Sequence, residues 1–150
     1  MMGLQCLLYG AGTGQPGILV MFEERAVAVR QNALSLGWDL DAMEQKSQLC
    51  LLDARLDAQV LIAGDFSIKG LLAILDQRTK AMCARYIVID AVDALLHLYN
   101  SPLRERQELY MLHEWLLDRG LTTIMTVKTT PDEGASAPYA FLEFMADCVI

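Results

Sequence analysis

The sequence predicts an α/β fold in which helices cover both faces of a mostly parallel sheet. Short apolar runs end in polar or acidic residues, and the clearest are I-L-V-M-F-E-E at residues 18–24 and Y-I-V-I-D at residues 86–90. Parallel strands that are buried on both faces have this continuous apolar character. Segments with helical periodicity separate the runs, and regular strand–helix alternation is typical of a doubly wound sheet.

The composition bounds the size and class of the protein. A length of 150 residues predicts a single domain, 1–150. Hydrophobic residues make up 54% of the chain, but no apolar run reaches the roughly 18 residues that span a bilayer. We therefore expect no membrane association and attribute the excess to strands that are buried on both faces.

The net charge and the spacing of the cysteines argue against nucleic-acid binding and against a zinc or redox site. The net charge is −7 without a basic block, so nucleic acid is not an expected partner. The four cysteines are widely separated and form no C-x-x-C pair, which argues against a zinc or redox site. Buried reduced thiols favour a cytoplasmic location, and the first residues do not resemble a signal peptide.

The elements can be placed in order from apolar periodicity and from residues that start or stop helices. Ser67 is a candidate N-cap, Pro102 suits a helix start, and Gly37 and Gly120 suit helix ends. The predicted strands are 18–22, 49–52, 86–89, 121–127 and one that starts at 148. The predicted helices are 1–9, 24–36, 41–46, 68–84, 102–119 and a short turn at 140–145, with loops at 10–17, 57–65 and 130–138.

Carboxylates follow the predicted strands at the sheet edge where open α/β sheets bind ligands. Glu23 and Glu24 could orient a water or act as a general base, although Glu24 could instead begin the next helix. Asp90 is placed to hold Mg²⁺ beside a nucleotide phosphate. Asp53 has the same layout, and a turn or cap role is an equal alternative for it.

The predicted fourth strand also ends in polar residues. Thr126 could hydrogen-bond a phosphate or a water, and Lys128 could supply positive charge to a phosphate. Polar residues are ordinary where a strand leaves a sheet, so a purely structural role is the alternative.

A glycine-rich segment precedes the first predicted strand. Residues 10–15 read G-A-G-T-G-Q, but no lysine follows the glycines and the G-x-x-x-x-G-K-[ST] pattern is absent from the sequence. The segment also leads into a strand, whereas a phosphate loop leads into a helix. We interpret it as a turn.

The chain resembles the KaiC family of RecA-like P-loop ATPases over nearly its whole length. The most specific part is residues 14–40, with G-Q-P-G-I-L-V-M-F-E-E followed by L-G-W-D-L. Further similarity lies in residues 4–11, 51–54, 86–90, 122–126 and 143–147.

This resemblance implies a three-layer RecA-like core that hydrolyses ATP with Mg²⁺ between the subunits of a homo-oligomeric ring, often a hexamer. Asp90 corresponds to the Walker B aspartate, which acts on Mg²⁺. Glu23 and Glu24 correspond to the glutamate pair that polarises the attacking water. Thr126 corresponds to a polar position near the γ-phosphate, and Lys128 lies where relatives often carry Glu-Arg.

Family members begin with a strand and a Walker A loop, and they end with a region that gives basic residues to a neighbouring subunit. We expect this chain to start after the first feature and to stop before the second, as a partial domain incomplete at both ends with impaired ATPase activity. One alternative is a non-catalytic oligomerisation or partner-binding module of the same fold. Another is a receiver-like phosphoacceptor domain, although the Lys-Pro of that class is absent.

Overall fold

The computed structural model describes residues 2–55, 67–99, 101–128 and 140–150. Strands and helices alternate along the described chain, as the sequence predicts. None of the described helices is long and apolar enough to cross a bilayer. In order, the elements are α1 Met2–Gly12, β1 Gly17–Met21, α2 Ala26–Ser35, α3 Leu40–Gln45, β2 Leu49–Asp53, α4 Ile68–Met82, β3 Tyr86–Asp90, α5 Val92–Leu96, α6 Pro102–Arg119, β4 Thr122–Met125 and a 3-10 helix Ala140–Met145.

The four described strands form one parallel sheet in the order β2-β1-β3-β4. The register aligns Met21 at the end of β1 with Asp53 of β2 and Asp90 of β3. Ile89 of β3 lies opposite Met125 of β4. All four strands therefore end at the same edge of the sheet.

Helices cover both faces of this sheet, which confirms the α/β fold class. Ile18 and Val20 of β1 face a core formed with α4, α5 and α6. Leu19 and Met21, the alternate residues, face a second core formed with α1, α2 and α3. Every residue of β1 is buried, as expected for a parallel strand between two helical layers.

The helix boundaries that rest on capping residues are confirmed. The Ser67 hydroxyl accepts a hydrogen bond from the Lys69 N–H at 3.3 Å and begins α4. Pro102 is the first residue of α6, and Gly120 ends that helix with a φ of +59°, which glycine adopts without strain. Helix α4 ends two residues earlier than predicted, because Cys83 takes a left-handed conformation.

Other boundaries differ from the sequence prediction. Helix α1 continues to Gly12, and the turn begins only at Thr13, because the N–H groups of Thr13 and Gln15 both donate to the Gly10 carbonyl. The short helix α5 was not predicted, and β4 is shorter than 121–127. Within the described residues, 148–150 form no strand. The loops predicted at 57–65 and 130–138 lie outside the described residues.

Helix α1 lies close to the sheet because small residues face the strands. A Cβ atom added to Gly10 would lie 2.9 Å from Cδ2 of Tyr86 and 3.0 Å from the Gln15 carbonyl oxygen. The carbonyl belongs to the turn that leads into β1, so it cannot move away easily. A Cβ atom on Gly12 would meet nothing within 4 Å.

Gly10→Ala and Gly12→Ala are a matched pair in the same helix. Each gains up to about 1 kcal/mol of helix propensity, but Gly10→Ala also forces apart a packed contact at a cost of about 1–3 kcal/mol. We expect Gly10→Ala to be the less stable variant in urea or thermal unfolding. Equal stability of the two variants would contradict the close packing of α1.

Candidate functional site

The carboxyl ends of β1, β3 and β4 are held together by backbone hydrogen bonds beyond the strands themselves. The Phe22 N–H donates to the Asp90 carbonyl at 3.0 Å, and the Thr126 N–H donates to the Ile89 carbonyl at 3.1 Å. The Val92 N–H donates in turn to the Thr126 carbonyl at 2.9 Å. These bonds fix the residues that follow each strand, and four of the six candidate site residues lie here.

Asp90 and Thr126 are in direct contact at this edge. The Thr126 hydroxyl donates to Oδ1 of Asp90 at 2.5 Å, and both residues are half-buried. Thr126 therefore fixes the orientation of the carboxylate. Among the described residues no group donates to Oδ2 of Asp90, so that oxygen can accept a ligand.

Glu23 and Lys128 form an ion pair across the edge. Nζ of Lys128 donates to Oε1 of Glu23 at 2.6 Å. This hydrogen bond raises the pKa of Lys128, and the charges of Glu23, Asp93 and Asp90 add to the effect. The side chain of Lys128 is 65% exposed and that of Glu23 is 41% exposed. Water therefore screens the pair, and an entering anion can separate it.

Asp93 is a member of this cluster that the sequence reasoning missed. It is only 3% exposed, and its Oδ1 accepts a hydrogen bond from the backbone N–H of Lys128 at 3.2 Å. The sequence does contain a sign of this role, because Asp93 is the single acidic residue in the apolar stretch 91–96. An acidic residue in such a stretch is unusual, since a buried carboxylate needs a partner. Asp93 holds the backbone that carries Lys128.

Two other acidic candidates are outside this contact network. Glu24 is exposed, and within the described part of the chain no hydrogen bond or ion pair joins its side chain to the cluster. Asp53 accepts hydrogen bonds from Nε and Nη2 of Arg55 at 2.9 and 2.8 Å, and the same pairing lowers the pKa of Asp53. The Arg55 N–H also donates to Asp53, which favours the turn alternative for that residue.

The donor set at Asp90 suits a cation that keeps most of its water ligands. Within the described ranges, no group of three or more histidine, cysteine or acidic residues is arranged to hold a metal ion. Mg²⁺ typically binds through one or two carboxylates, with waters and substrate phosphates completing its shell. Asp90, oriented by Thr126 and with one oxygen available, fits that kind of site.

Asp93→Ala should destabilise the fold by about 1–3 kcal/mol, because it leaves the Lys128 N–H without its acceptor. Asp118→Ala is the matched control, since Asp118 is an exposed aspartate on α6, and we expect a change within about 0.5 kcal/mol for it. Chemical denaturation of both variants measures the difference. An Asp93→Ala protein as stable as the control would show that the buried hydrogen bond has no structural role.

Comparison with known proteins identifies relatives over the full chain. The family model described as "ATPase: KaiC" matches residues 1–150. The circadian clock oscillator protein KaiC of Prochlorococcus marinus subsp. pastoris is 33% identical over 149 residues, which cover 98% of this chain and 29% of that protein. The KaiC of Acaryochloris marina is also 33% identical, over 100% of this chain and 29% of that protein.

A solved structure agrees with these sequence relatives. The crystal structure of a KaiC-like protein from the hyperthermophilic archaeon Pyrococcus horikoshii OT3 superposes with a TM-score of 0.78 at 28% identity. The match covers 96% of this chain and 60% of that chain. The present chain therefore spans less than a third of the KaiC proteins named above, and it belongs to the KaiC ATPase family.

Proposed function

We propose that the carboxyl edge of β1, β3 and β4 is the magnesium and water side of a KaiC-like ATP site. The observation that carries this proposal is the convergence of Glu23, Asp90, Thr126 and Lys128 at one edge of the sheet in a member of an ATPase family. Open α/β sheets bind ligands at this edge. The family relationship makes Mg·ATP the ligand to test.

In this proposal Asp90 holds Mg²⁺ directly or through a bound water. The ion, when bound, neutralises charge on the phosphates of ATP. Thr126 keeps Oδ1 of Asp90 occupied with a hydrogen bond, so that Oδ2 faces the ligand. While its proton is donated to Asp90, the Thr126 hydroxyl oxygen can accept a hydrogen bond from a water.

Glu23 and Lys128 have linked roles in the proposal. In the unliganded arrangement Lys128 neutralises Glu23. A phosphate that enters the edge competes for Nζ of Lys128, and the exposed pair can open at little cost. Glu23 is then free to polarise the attacking water, with Glu24 as the second acidic group of the pair.

We further propose that these 150 residues alone bind Mg·ATP weakly and hydrolyse it poorly. In P-loop NTPases a backbone cradle and its lysine hold the β- and γ-phosphates. The sequence contains no G-x-x-x-x-G-K-[ST] pattern, and residues 10–15 instead form the end of α1 and the turn after it. Lys128 is one cation at an exposed position and does not replace such a cradle.

A non-catalytic oligomerisation or partner-binding module is the second candidate. The observation that favours it is the Glu23–Lys128 ion pair, which occupies one oxygen of the glutamate that catalysis would need. The receiver-like alternative shares the strand order β2-β1-β3-β4 with flavodoxin-like folds. Membership of the KaiC ATPase family argues against it.

Calorimetric titration of the chain with Mg·ATP tests these proposals. We expect heat that corresponds to a Kd weaker than about 100 µM, or about −5.5 kcal/mol. Asp90→Asn should remove the Mg²⁺-dependent part of that heat, and Glu23→Gln should lower any measurable turnover by about 10²-fold or more. Asp118→Asn, which changes an exposed charge on α6, is the control and should behave as wild type.

Each other outcome contradicts a stated part of the proposal. Binding tighter than about 100 µM would show that the missing cradle is not decisive. Heat that Asp90→Asn leaves unchanged would place the nucleotide elsewhere. A folded chain with no detectable heat would favour the non-catalytic module.

A further inference from the structure

Helix α6 has apolar residues on both of its faces. Leu109, Leu112 and Leu116 are buried in the core on the sheet side. On a second side of the helix, Leu103, Tyr110 and Leu117 are 67%, 57% and 61% exposed. Single exposed apolar residues are common on protein surfaces, but these three follow a regular pattern.

The three exposed residues are spaced seven apart, and we call them the α6 stripe. Seven residues are close to two helical turns, so the side chains lie on one side of the helix. At a rise of 1.5 Å per residue, the stripe from Leu103 to Leu117 is about 21 Å long. This is the spacing by which one helix packs along another.

The charges beside the stripe are arranged symmetrically about its centre. Arg106 lies four residues before Tyr110, and Glu114 lies four residues after it. Both are exposed on the same side of α6 as the stripe. If two copies of α6 pair antiparallel about Tyr110, each Arg106 faces the Glu114 of the other copy.

We propose that the α6 stripe is a dimer interface with a second copy of this chain. Leu103 packs against Leu117 of the second copy, the two Tyr110 rings meet at the twofold axis, and two Arg106–Glu114 pairs flank them. The contact is isologous and closes at two copies, in contrast to the head-to-tail contacts that build rings. It does not depend on the proposed ATP site.

Contacts within the chain already hold α6 and its surface side chains in place, and this favours association with a second copy. The Arg119 Nε donates to Oδ1 of Asp76 on α4 at 2.8 Å and fixes the helix at its end. The guanidinium of Arg106 lies 5.3 Å from the centre of the Phe141 ring, which limits its freedom before pairing. Little conformational entropy is then lost when two copies associate. The area buried by one pair of helices is small, so the dimer should be of micromolar affinity.

Sedimentation equilibrium of charge-exchange variants tests the pairing. Arg106→Glu and Glu114→Arg each place like charges opposite one another twice per dimer, and each should raise the dimer Kd by about tenfold or more. An equimolar mixture of the two variants restores both attractive pairs, so heterodimers should form with a Kd near that of wild type. Arg104→Glu makes the same charge change on α6 outside the stripe and should have little effect.

A second measurement does not rely on charge. Cys83 and Cys148 are exposed in the structure, contrary to the expectation of buried thiols, so both are replaced by serine in the test background. In that background Tyr110→Cys should give a covalent dimer on mild oxidation, because position 110 meets itself at the twofold axis. Arg104→Cys in the same background should not. The proposal is overturned if wild type is monomeric at several hundred micromolar, if the mixed variants fail to reassociate, or if the chain assembles in a way that none of these changes alters.

Discussion

The parallel ladder that joins β1, β3 and β4 is the constraint on which the rest of the structure depends. It sets Met21 opposite Asp90 and Ile89 opposite Met125, and its hydrogen bonds continue to Phe22 and Thr126. A slip of one residue in any pair would turn the side chains of that strand to the opposite face. It would also separate Asp90 from Thr126, so the same ladder maintains both cores and the candidate site.

The charge balance at the sheet edge suits a metal–phosphate complex better than a bare anion. Among the described residues, three carboxylates, those of Glu23, Asp90 and Asp93, act on the ammonium group of Lys128. An unaccompanied phosphate would meet net negative charge there, whereas Mg²⁺ brings compensating positive charge with it. The charges at this edge therefore agree with the family relationship.

Helix α6 contributes both to the core beneath the proposed ATP site and to the proposed dimer interface, although neither of these depends on the other. One side of the helix packs in the same core as β3 and β4, and another side carries the α6 stripe. Because an α-helix presents different residues on opposite sides, one sequence can serve a core and an interface at once. The seven-residue spacing of Leu103, Tyr110 and Leu117 is visible in the sequence, but their exposure is not.

The sequence by itself determined the fold class, most element positions and the identity of the candidate site residues. Apolar runs, Ser67, Pro102 and Gly120 act through local physical preferences, so they can be interpreted without a structure. Only the tertiary structure decided that Glu23 contacts Lys128, 105 residues away, that Glu24 lies outside the cluster, and that buried Asp93 supports Lys128. Strand register and the path of the chain beyond each strand set these contacts, and neither is encoded in the residue pattern of one segment.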